Sequence, residues 1–173
     1  MHPAEHRALR ELHATARQLR EHWATLANRL ETQDARVGAG SLLRAGSHDA
    51  RELLGELAEQ TAARELYGRT AAQGVGVQLA AGRAGLLDHA LEVNQALRFA
   101  TLDVQHVVTL LAYLERLARR RGDAPLAAFE AGWHERMAGH EDAIRTAAVA
   151  AGDDPDQAIR PASPGMAGRV GHG

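Results

Sequence analysis

Apolar residues return at every third or fourth position through most of this chain. Leu9, Leu12, Ala16, Leu19, Trp23, Leu26 and Leu30 form one such series, and Leu86, Val93, Leu97, Val104, Val107, Leu111 and Leu114 form another. This spacing collects each series on one face of an α-helix. A third series, Ala50, Leu53, Leu54, Leu57 and Thr61, follows Ser47, a residue type favoured as an N-cap. A fourth, Leu126, Phe129, Trp133, Met137, Ile144 and Ala148, follows Gly122, Asp123 and Pro125. That trio reads as a helix stop, a helix cap and a first-turn proline. None of the five prolines lies between Ala4 and Ala124, and β-branched and aromatic clusters are missing. The pattern predicts helices over residues 3–36, 48–67, 86–121 and 124–151.

Four amphipathic helices of this kind bury their stripes against one another, so the expected fold is an all-α four-helix bundle over residues 1–151. Residues 152–173 hold three prolines and five glycines and read as a tail. The order of the helices turns on residues 68–85, which carry five glycines. Partly helical, this segment gives an up-down-up-down bundle. Extended, its 18 residues could reach up to roughly 60 Å, enough for a long crossover. The many small residues on the inner faces favour the simpler up-down-up-down order.

Composition removes several kinds of chemistry. The chain has no cysteine and no lysine, so thiolate and Schiff-base mechanisms are closed to it. Its only serines are Ser41, Ser47 and Ser163, and no nucleophile elbow or glycine-rich phosphate loop surrounds them. A net charge of −2 gives no bulk attraction to nucleic acid. The run Arg119–Arg121 sits where cations suit a helix C-terminus. No apolar run is long enough for a membrane span and no leader pattern is seen, so a cytoplasmic protein is expected.

The polar residues inside the apolar stripes are the candidates for function. Asp103 falls within the third helix's stripe, with His106 one turn on at its edge. In a regular hairpin of the last two helices, His140 comes level with both, and Glu141 lies beside it. Two imidazoles and a carboxylate suit Fe, Zn or Mn. The D-x-x-H spacing resembles half of the metal-binding motif of ferritin-like di-iron bundles. That resemblance implies a bundle with Asp103, His106, His140 and Glu141 around a metal between the last two helices. No second E-x-x-H or D-x-x-H follows the family's pattern on the other helices. Arg64 lies on the second helix's apolar face and is the competing partner for Asp103. His89 and Glu92, one turn apart, read with Arg64 as buried structural groups. The expected function is a non-catalytic bundle acting through protein interaction, in a homodimer or with another protein, with no cofactor. The alternative is a ferritin-like metal-binding protein.

Overall fold

A computed structural model of the chain describes residues 2–31, 37–63 and 92–160. Four long helices account for nearly all of them: α1 (Pro3–Glu31), α2 (Val37–Ala62), α3 (Val93–Arg121) and α4 (Ala124–Ala150). A single 3-10 turn (Ala151–Asp153) and a one-turn helix, α5 (Pro155–Ala158), follow. The fold is an all-α four-helix bundle, as the apolar periodicity predicts.

The turn between α3 and α4 forms as its sequence dictates. Gly122 adopts φ +79°, a left-handed conformation that costs a glycine nothing. The Asp123 carboxylate then accepts the Leu126 N–H at 3.1 Å and caps α4. Arg121 closes this end of the bundle, donating to Glu5 of α1 at 3.0 Å and to Asp123 at 2.9 Å. At the other end of α3, Glu92 is the N-cap, and its side chain and that of Gln95 satisfy each other's backbone N–H groups. The residues past α4 return to this cap: the Val93 N–H donates to the Arg160 carbonyl at 3.1 Å, and Ala158 is buried. The segment read as a tail thus begins by docking on the start of α3. Residues 161–173 lie outside the described residues, as do 32–36 and 64–91.

The second helix starts eleven residues earlier than the sequence pattern predicts, at Val37 rather than 48. Ser47 is therefore not an N-cap. It lies in mid-helix, where its hydroxyl donates to the Arg20 carbonyl of α1 at 2.9 Å. The glycines before it read as breakers, yet one has a packing task. A Cβ on Gly46 would lie 2.2 Å from Cζ3 and 2.5 Å from Cε3 of Trp23, so the indole occupies the space a side chain would need. Trp23 is fully buried and anchors the main core, built from all four helices, with Leu19, Leu43, Leu53, Leu111, Met137 and Ile144. Its burial alone contributes on the order of 4–6 kcal/mol.

Side-chain contacts fix the order of the helices. Along α1 and α3, Glu5 meets Arg121, Glu11 meets His106 and His22 meets Asp103, so the two helices are antiparallel neighbours. Along α2 and α4, Glu56 meets Trp133 and Asp49 meets His140, again antiparallel. The hairpins α1–α2 and α3–α4 are antiparallel as well, so α2 and α3 run in the same direction. The bundle is up-down-down-up, and the simpler up-down-up-down order does not hold. The end of α2 and the start of α3 lie at opposite ends of a bundle about 43 Å long. Small inner-face residues therefore serve close helix approach, as at Gly46, without deciding connectivity.

The contrast between glycines is testable. We expect Gly46→Ala to destabilise the protein by about 1–3 kcal/mol through overpacking against Trp23. Gly55→Ala, with nothing within 4 Å of the added methyl, should stabilise it by about 0.5–1 kcal/mol through helix propensity. Urea unfolding followed by circular dichroism reads both.

Candidate functional site

The ring order α1–α2–α4–α3 decides where each inward polar group finds its partner. Asp103 lies on the side of α3 that faces α1. Its Oδ2 is 2.5 Å from Nδ1 of His22, and both side chains are mostly buried. An ionised carboxylate can only accept, so the imidazole donates. His106 reaches Glu11 of α1 at 3.0 Å on the exposed rim of the same seam. His140 lies on the side of α4 that faces α2, where its Nε2 meets Asp49 Oδ2 at 2.7 Å. Glu141 pairs along α4 with Arg145.

The expected meeting of Asp103, His106, His140 and Glu141 does not form, because the apolar period gives a residue's height and stripe but not the neighbour its flank faces. With α1 rather than α2 beside α3, Asp103 meets His22. Arg64 and His89, two of the groups read as structural, lie outside the described residues. Glu92, the third, is a partly buried N-cap.

The residues that sequence reasoning missed make the richest polar cluster, on the α2–α4 seam. Asp49 receives Nε of Arg136 at 2.8 Å on one oxygen and its Nη2 at 2.6 Å on the other. The same Nη2 also donates to Glu52 at 2.6 Å. The guanidinium lies over the Trp133 ring, 4.7 Å from its centroid, and the Trp133 N–H donates to Glu56 at 2.9 Å. His140 continues the chain inward, its ring edge-on to Trp23 at 6.4 Å between centroids. Burial opposes ionisation of Asp49, but the hydrogen bonds and charges of Arg136 and His140 outweigh it and hold the carboxyl below its ordinary 3.8. Reciprocally, the hydrogen bond to Asp49 raises Arg136. A helix start near Ser47 would place Asp49 in a first turn, where an acid is commonplace. His22 did carry a signal: it follows Leu19 by three residues and precedes Leu26 by four.

His48, Asp49 and Glu52 bring one ligand atom each within 4.8 Å of one another, the only such grouping among the described residues. The donor set does not fit a metal. Arg136 already engages both Asp49 oxygens and Glu52, and His140 shares the Asp49 oxygen. A divalent ion there would have to displace a guanidinium held by two short charged bonds.

One further feature is apolar and outward. Phe99, Leu102 and Tyr113 of α3 are 37%, 54% and 44% exposed. With His106 and Thr109, both exposed, they recur at alternating intervals of three and four residues, which is the seam pattern of a helix that packs on another helix. The chain has only two phenylalanines and two tyrosines, and one of each stands on this outer face.

Compared with protein-family models, with curated proteins and with solved structures, the chain gives no significant match to any of them.

The Asp49 cluster has a definite pH signature. A carboxyl whose folded pKa is depressed contributes stability above its unfolded value and loses it as pH falls through the folded one. We expect Asp49→Asn to cost about 2 kcal/mol at pH 7, in the range for charge-assisted hydrogen bonds. The gap from the parent protein should close below pH 3.8 as the parent's carboxylate takes up its proton. Urea unfolding from pH 7 to pH 2.5 measures it.

Proposed function

We propose that this is a non-catalytic helical-bundle protein that acts by binding another polypeptide, with the outer face of α3 as its contact surface. The observation that carries the reading is the stripe Phe99, Leu102 and Tyr113: three of the five most exposed large apolar residues among the described ones, on one face of one helix. Grouped apolar exposure of this kind marks interaction surfaces, whereas scattered single residues do not.

The polar residues support it from the other side. Asp103, Asp49, His106 and His140 each tie one helix to another: α3 to α1 through His22 and Glu11, and α4 to α2 through Asp49. These pairs hold four separate helices in register, which is a scaffolding role. Arginine suits such a role, since its planar fork binds a carboxylate through two donors and stacks on an aromatic face, as Arg136 does with Asp49 and Trp133.

A photo-crosslinking residue at position 102, introduced in the cells that make the protein, tests the reading. A discrete adduct is expected at 102 and none at the exposed Arg51 on α2, and equal labelling at both positions would sink it. The metal-binding alternative has its own check. Zn, Mn or Fe(II) added at ten equivalents should leave the melting temperature of the purified protein unchanged. A rise abolished by Asp49→Asn would favour the metal instead.

A further inference from the structure

The α3 stripe has an internal symmetry that names an occupant. Phe99 and Tyr113 stand equally far to either side of His106. Reversing the helix end for end about His106 brings Phe99 over Tyr113 and Tyr113 over Phe99. The charges at its ends differ in sign: Glu92 stands at the start, and Arg116 and Arg120 stand near the finish. Neither arginine has an ion-pair partner among the described residues. A reversed copy sets each acidic end over a basic one. A copy in the same direction sets Arg98, Arg116 and Arg120 against themselves.

We propose that the α3 stripe is the seat of a second copy of this chain, packed antiparallel about a two-fold axis passing close to His106. The inference rests on the reading of this face as a contact surface and specifies its partner. Phe99 of one copy lies against the Thr109–Tyr113 turn of the other, and Leu102 lies next to the axis. Such an interface is isologous and closes on itself, so assembly stops at the dimer. The stripe from Phe99 to Tyr113 is about 21 Å long and one helix wide, which gives roughly 230 Å² per copy. Two such faces bury well under the roughly 1,000 Å² of a stable complex, so the contact is a weak, transient one. The dimer is therefore reversible, and its population depends on protein concentration.

The natural lack of cysteine makes the geometry directly testable. Sedimentation of the full chain from 1 μM to 500 μM should show a monomer–dimer equilibrium. Leu102→Glu should weaken it at least tenfold while helicity and melting temperature stay as they are, since Leu102 is 54% exposed. In a second arm, Gln105→Cys, exposed and beside the axis, should give a covalent dimer with a short bis-maleimide. Arg98→Cys should not, because antiparallel packing about His106 separates the two copies of that position by about 24 Å along the helix. A chain that stays monomeric throughout the range overturns the proposal. So does a dimer indifferent to Leu102→Glu, and so does efficient cross-linking through Arg98→Cys, which signals parallel packing. The adduct formed at position 102 in cells separates this failure from failure of the broader reading. An adduct of twice the chain mass supports the dimer. Another mass keeps the contact surface and overturns the second copy, and no adduct overturns both.

Discussion

The seating of Trp23 on Gly46 is the contact on which the bundle turns. The indole fills space that any β-carbon on α2 would claim, so α1 and α2 approach closely at this one point. The same ring reaches across the core to the edge of His140 on α4. Beside it in sequence, His22 ties α1 to Asp103 of α3. One turn of α1 therefore touches all three other helices. Shifting that turn would move the close approach to α2, the buried hydrogen bond to α3 and the aromatic contact to α4 together.

The two buried polar seams add orientation rather than great stability. Removing a carboxylate and an imidazole from water is costly, and their attraction does little more than offset that cost. What the pairs exclude is misdocking. With Asp103 on the α1 side of α3 and Asp49 on the α4 side of α2, a hairpin docked the wrong way round would leave each carboxylate without its hydrogen-bond partners. Breaking one partner is then far more harmful than replacing both.

How much of this was legible beforehand follows from what periodicity encodes. The 3- and 4-residue spacing revealed the helices, their inward stripes and the Gly122–Asp123 turn, because these are local properties of the chain. It revealed that Asp103 and His140 face inward. It was silent about which neighbour each faces, since that depends on helix order, and helix order depends on residues 68–85. The start of α2 was hidden for a different reason. Glycine weakens a helix considered alone, and only the presence of Trp23 opposite makes Gly46 the right residue in one. The Arg136 cluster was lost with it, because a helix starting near Ser47 puts Asp49 in a first turn, where an acid is commonplace.

The parallel course of α2 and α3 has a consequence for how the molecule is put together. Each hairpin pairs helices joined by a short connection, while the contacts between hairpins join residues as far apart as Glu5 and Arg121. The protein is in this sense an intramolecular complex of two halves, each contributing one face of the core. Because both halves belong to one chain, their docking is intramolecular and does not depend on protein concentration. The specificity of docking between the halves is therefore concentrated on the mating faces around Trp23 and Asp49.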